Sequence, residues 1–165
     1  MVTLRRPLLP ARWIQATIAV FLIMAIPLPK AEAASTPPEA VLQKWYTLSL
    51  ALIRHTPTYS PPVASRALAY LGVTAYEAVA SGSPKLQSLA GQLQELKPLP
   101  PREAGKTYDE VVVLDAALAA MMHDLFSNTG PSGQQAIRHL EEELKSKAVS
   151  ADSTLETIAR SEAYG

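Results

Sequence analysis

Apolar side chains recur along this chain at helical spacing, and prolines, glycines and small polar residues mark the breaks between them. From Ser60 to Ser81 the sequence runs Ser-Pro-Pro-Val-Ala-Ser-Arg-Ala-Leu-Ala-Tyr-Leu-Gly-Val-Thr-Ala-Tyr-Glu-Ala-Val-Ala-Ser. A serine followed by prolines suits a helix start, because the proline φ is pre-set and its missing N–H is not needed there. Beyond Arg66 the only strongly polar side chain of this stretch is Glu77, so a helix here has almost no solvent face and needs neighbours all round. The small residues Ala64, Ala67, Ala69, Gly72, Ala75 and Ala78 would let those neighbours come close. Pro61–Ala80 is therefore expected to be the central helix.

The other elements read as its surroundings. Thr36-Pro37-Pro38-Glu39 has capping-box spacing, and Val41, Trp45, Leu48 and Leu52 form a helical stripe running to about His55. The short turn at 56–59 makes that helix a direct neighbour of the central one. Lys85–Leu96 is expected to be a weaker helix, with Leu86, Leu89, Leu93 and Leu96 on one side and Gly91 inside it. A Pro-rich loop follows. Tyr108–Ser127 carries Val111, Leu114, Leu118, Met121 and Leu125 on one face, and Asn128-Thr129-Gly130 stops it before Pro131 starts the next helix. The helix from Pro131 to about Lys147 buries Ile137, Leu140 and Leu144, and a last one begins near Ala151. No stretch alternates with period two. The expected fold class is all-α: a bundle of about six helices around Pro61–Ala80.

The first 33 residues follow other rules. Arg5, Arg6 and Arg12 precede an apolar run from Ile14 to Ile26, and Ala31-Glu32-Ala33-Ala34 puts small residues before a cut between Ala33 and Ala34. A charged start, a short apolar run and an Ala-x-Ala site describe a secretory signal peptide. The run falls short of the roughly 20 residues that span a bilayer. The expected division is thus a leader, 1–33, and a helical domain, 34–165, that works in the periplasm or outside the cell. Membrane contact is expected only through the leader before cleavage.

Composition narrows the chemistry. The chain has 165 residues, 48% of them hydrophobic, and no cysteine, so thiolate catalysis, disulfides and Cys-based metal sites are excluded. Without Arg5, Arg6, Arg12, Lys30 and Glu32, 11 basic and 14 acidic residues remain, a net charge of −3, which gives no reason to expect a nucleic-acid partner. His55, His123 and His139 are scattered, with none at i,i+4 from another, so no zinc site is expected. His123 and Asp124 could pair as base and orienter near a helix end, but His123 is expected to serve the helix C-terminal dipole, and Arg66 and Glu77 are expected to find partners across the bundle. The run Glu141-Glu142-Glu143 with Lys145 and Lys147 reads as a solvated face carrying i,i+4 pairs.

Placed on these helices, Pro61-Pro62-Val63-Ala64-Ser65-Arg66-Ala67-Leu68-Ala69 and Ala75-Tyr76-Glu77-Ala78-Val79 resemble the N-terminal region of bacterial vanadium-dependent haloperoxidase-like proteins. These belong to the type 2 phosphatidic acid phosphatase superfamily. The Trp45 helix, Leu89-Ala90-Gly91-Gln92-Leu93, Leu114-Asp115-Ala116-Ala117-Leu118-Ala119 and the closing Ser161-Glu162-Ala163-Tyr164-Gly165 extend the likeness from about Trp45 to Gly165.

The resemblance implies a larger helical protein binding vanadate or phosphate through a lysine, an arginine-proline pair, a Pro-Ser-Gly-His segment and a later Ser-Arg motif ending in histidine. Those elements belong to the family's C-terminal half, and this sequence stops before them. Pro131-Ser132-Gly133-Gln134 begins like the Pro-Ser-Gly-His segment, but Gln134 stands in the histidine's place and no Lys and Arg-Pro motif precedes it within residues 34–130; starting a helix accounts for it. No catalytic, cofactor-binding or metal-binding residue can therefore be assigned, and vanadate or phosphate is expected to belong to the absent half. The expected partners are that half or a second copy of the chain. The alternative is a stand-alone periplasmic helical module that binds a protein or apolar ligand.

Overall fold

Pro37, Ser60, Asp109 and Thr154 each hold an extended backbone immediately before a helix. In the computed structural model, residues 36–147, 149 and 153–165 are described, all within one unit. Among them are α1 (Pro38–His55), α2 (Pro61–Gly82), α3 (Glu110–Leu125), α4 (Pro131–Lys147) and α5 (Leu155–Tyr164), with no strand. The fold is all-α. The leader and its cleavage residues Ala33 and Ala34 lie outside the described residues.

The helix starts are made differently from the sequence expectation. Helix α1 begins at Pro38 without a side-chain cap, and the Thr36 N–H donates to Lys147 O at 2.8 Å, so the Thr36/Glu39 capping box does not form. Ser60 makes no side-chain cap either: Pro62 at the second helical position has no N–H to offer it, and the serine does not engage Val63 at the third. Asp109 does cap: its carboxylate accepts from Val111 N at 3.1 Å and Val112 N at 3.3 Å. The same carboxylate takes the Ser153 hydroxyl at 2.6 Å, and the Asp109 N–H donates to Ser161 Oγ at 2.8 Å. One residue thus starts α3 and fastens α5 to it.

Two expectations are corrected by the packing. Lys85–Leu96 is a series of turns, not a helix. Gly91 has φ +79°, and the backbone N–H of Leu89 is drawn to Glu77 Oε1 at 2.6 Å while the Ser88 hydroxyl donates to Oε2 at 2.8 Å. Glu77 therefore satisfies its buried carboxylate with this loop. Arg66, expected to find a partner of its own across the bundle, is exposed instead.

The helix with neighbours on most sides is α3. It packs against all four other described helices and buries Val112, Val113, Leu114, Asp115, Ala117, Leu118, Ala119 and Met122. Helix α2 buries only Ala67, Leu71, Ala75, Glu77 and Ala78, leaving Val63, Tyr70 and Val79 more than two-fifths exposed. Around α3 the core closes with Trp45, Leu71, Phe126, Ile137 and Leu144.

Polar clasps lock the periphery. The Tyr59 ring stacks on Phe126 with centroids 4.8 Å apart, and Thr56 Oγ1 lies 3.1 Å from Thr129 Oγ1. Arg102 forks onto both Glu110 oxygens at 2.6 and 2.8 Å and reaches Ser81 Oγ at 2.9 Å. Its guanidinium lies over the rings of Tyr108 and Tyr164, 4.8 and 5.1 Å from their centroids, which holds the 83–109 loop against three helices.

Candidate functional site

The face of α3 turned toward α4 and α5 carries an acid where the helical pattern would place an apolar residue. Asp115 follows Val111-Val112-Val113-Leu114 and precedes Ala116-Ala117-Leu118, and it is 4% exposed. The Trp45 indole of α1, itself fully buried, donates to Asp115 Oδ1 at 2.7 Å. Burial pushes the Asp115 carboxyl up to about 6; the indole hydrogen bond works against that rise and the nearby Glu141 charge adds to it.

Asp115 lines a cavity of about 240 Å³ between α3, α4 and α5. Small side chains hollow it out: Ala116, Ala119 and Ala120 on α3 form one wall. Its polar rim is His123, Glu141, Lys145 and Glu162. Glu141 is engaged on both oxygens, with His123 Nε2 at 3.1 Å and Lys145 Nζ at 3.2 Å. Burial tends to raise the Glu141 carboxyl, but the hydrogen bonds from His123 and Lys145 outweigh it and hold it below its ordinary value. The hydrogen bond to Glu141 in turn holds the Lys145 ammonium above its usual range.

A second concavity is apolar. Leu42 and Tyr46 of α1, Gly72, Tyr76 and Val79 of α2 and Leu86 of the loop line a groove of about 440 Å³. The Tyr46 hydroxyl is the nearest neighbour that a side chain at Gly72 would meet, at 3.2 Å, so the two helices come close there.

The residues singled out by sequence are dispersed. His55 and His139 are exposed, and His123 pairs with Glu141 across to α4, not with Asp124 beside it. The pairs Glu141–Lys145 and Glu143–Lys147 form as expected, and Lys44 of α1 joins Glu143 at 2.7 Å. Gln134 serves the helix ends: its side-chain amide donates to Phe126 O at 2.7 Å, closing the end of α3. Met122 is core and Met121 half-buried beside it. Among the described residues no group of three or more His, Asp or Glu side chains is placed to hold a metal ion, and no helix is long and apolar enough to cross a membrane.

Asp115, Trp45 and Glu162 were not expected as a cluster. The signal for Asp115 was available: a lone carboxylate within an otherwise apolar helical run. Comparison with family models, curated proteins and solved structures gives no match.

Proposed function

We propose that this unit is the exported N-terminal helical scaffold of a vanadium haloperoxidase-like protein of the type 2 phosphatidic acid phosphatase superfamily. In this reading vanadate or phosphate is bound by a further helical half, and residues 34–165 have no catalysis of their own. The leader 1–33 directs the chain to the periplasm or medium and is cut between Ala33 and Ala34.

The observation that carries the proposal is the incomplete covering of α2, the helix on which the family-like motif lies. Its composition suits burial on all sides, yet Val63, Tyr70 and Val79 face outward, and the α1–α2 groove from Leu42 to Leu86 has almost wholly apolar walls. Apolar surface of this kind on a folded domain marks a place where other protein packs. Helices of the family's second half are the occupant we assign to it. With them in place, Pro61–Ala80 would acquire the neighbours its sequence calls for, and α2 would become the central helix of the larger bundle.

The test is to read the coding sequence past Gly165 and to express its product together with this chain. The expected result is a continuation, in frame or frameshifted, containing the Lys, Arg-Pro and Pro-Ser-Gly-His elements. Its product should protect the amides of 72–79 from hydrogen exchange. A stop followed by unrelated sequence, or vanadate-dependent peroxidase or phosphatase activity from 34–165 alone, would overturn the proposal; the first of these outcomes favours a stand-alone binding module.

A further inference from the structure

The Asp115 cavity is separate from the groove just assigned to a partner, and it has the makings of a ligand site. Asp115 Oδ1 is taken by the Trp45 indole, while Oδ2 accepts no hydrogen bond among the described residues. Among those residues the only fully enclosed side-chain nitrogen or oxygen without a partner is Arg102 Nε, so Asp115 Oδ2 is reached from the cavity that the residue lines. A carboxylate that is 4% exposed, oriented by an indole and left with a free oxygen facing a recessed cavity with an open mouth is costly to keep unless that oxygen is used.

The surroundings specify what could use it. The walls are Val112 and the three alanines of α3. Facing them are Glu141 and Lys145 from α4, Glu162 from α5 and His123 further along α3, while α2 contributes no lining residue and α1 only the indole behind Asp115. Glu141 already holds Lys145 and His123. Lys145 also attracts the charges of Asp115 and Glu162, yet three carboxylates face a single lysine, so the cavity keeps a net negative charge.

An inorganic cation would need a tighter ligand cluster than these residues make. An organic cation needs one charge-assisted hydrogen bond and apolar walls for its stem. The volume, about 240 Å³, lies below the roughly 300–1,000 Å³ of sites for drug-sized ligands, so the ligand is small. We infer that this cavity binds a small primary alkylammonium ion, its nitrogen donating to Asp115 Oδ2 and its alkyl stem lying on Val112, Ala116, Ala119 and Ala120.

The test uses the full chain and n-butylammonium, with uncharged n-butanol as the control of equal shape, and follows the Trp45 indole N–H by NMR. At about pH 7.5, above the Asp115 value, n-butylammonium should shift that resonance saturably and bind at least about tenfold more tightly than n-butanol. The affinity should fall at least about tenfold at pH 4.5, where Asp115 holds a proton, and to the same degree in Asp115→Asn. Glu162→Gln should weaken binding only about threefold, because Glu162 is exposed and screened. Ala120→Leu fills the space while leaving the carboxylate untouched and should abolish binding, so the result does not depend on Asp115→Asn folding. No saturable shift, equal binding of n-butanol, or full affinity in Ala120→Leu would each overturn the inference. A stop codon after Gly165 followed by unrelated sequence would refute the scaffold reading and leave this site standing.

Discussion

Replacing Asp115 by asparagine tests whether this carboxylate is held at the expense of stability. Asparagine keeps the shape and the oxygen that accepts from the Trp45 indole at 2.7 Å, and its amide faces a cavity open to water. The carboxyl of Asp115 rises from 3.8 to about 6 in the fold. That is about two units, and at about 1.4 kcal/mol each the ionised form costs the native state about 3 kcal/mol. The sign follows from proton linkage: between these two values the folded chain binds the proton that the unfolded chain has released. The contribution is therefore most favourable below about pH 4, is lost as pH rises toward 6, and is constant above. Urea unfolding followed by far-ultraviolet circular dichroism at a series of pH values measures it. Asp115→Asn should match the wild type near pH 4 and exceed it by about 2–3 kcal/mol near pH 7.5. Subtracting the two curves removes Glu141 and the other titrating groups common to both proteins. If the variant is less stable than the wild type at pH 7.5, or if the two curves run parallel, the burial of a costly charge at Asp115 is refuted.

Two further substitutions probe the connections around the core. Glu77→Gln offers one acceptor where the Ser88 hydroxyl and the Leu89 N–H each need one, so it should cost about 1–2 kcal/mol and speed hydrogen exchange of the 86–93 amides; unchanged exchange there would count against Glu77 as the loop's anchor. Gly133→Ala would ordinarily favour a helix by about 0.5–1 kcal/mol, but here the added Cβ would lie 2.7 Å from Thr129 Cγ2 and 3.1 Å from Leu52 Cδ2. Thermal unfolding should therefore show a lower Tm, and a raised Tm would show that Thr129 moves aside without loss.

Helix type and most boundaries were legible in the sequence because spacing reports directly on which face of a helix is apolar. Pro38, Pro61 and Pro131 open helices in the structure, as a proline without a needed N–H should. Failures occurred where a distant group decided the local outcome. Leu86, Leu89, Leu93 and Leu96 keep helical spacing, yet Glu77 from the preceding helix captures the Leu89 N–H and the segment turns at Gly91. Thr36 and Glu39 fit a capping box, but the Thr36 N–H goes to Lys147, more than a hundred residues away. The cavity was partly visible: Asp115 breaks an apolar run, but neither Trp45 nor Glu162 announces that it lies beside it, since both belong to other helices. Nor does composition by itself report the packing among the described residues. Helix α2 is the more uniformly apolar stretch to the eye, whereas α3 receives the packing.

That mismatch between the composition of α2 and its burial leads to a prediction separating surface from core on one helix. Tyr70 is 50% exposed and Val79 42%, while Leu71 between them is fully buried. If Tyr70 and Val79 exist to meet further protein, exchanging both for serine should alter the stability of this chain by no more than about 0.5 kcal/mol each. Leu71→Ala removes packing against the cluster of Trp45, Leu118 and Phe126 and should cost about 2–5 kcal/mol. The double serine variant should also lower the tendency of the chain to self-associate, because its effect is on apolar surface open to water. Chemical unfolding and light scattering read the two effects separately. A double variant as destabilised as Leu71→Ala would mean that Tyr70 and Val79 already pack within this chain, and α2 would then need no further covering. A stable double variant that associates as strongly as the wild type would move the sticky surface elsewhere, toward the Leu42–Leu86 groove or the exposed Leu50 and Leu155. Only stability retained with association lost fits a helix whose remaining neighbours come from outside this segment.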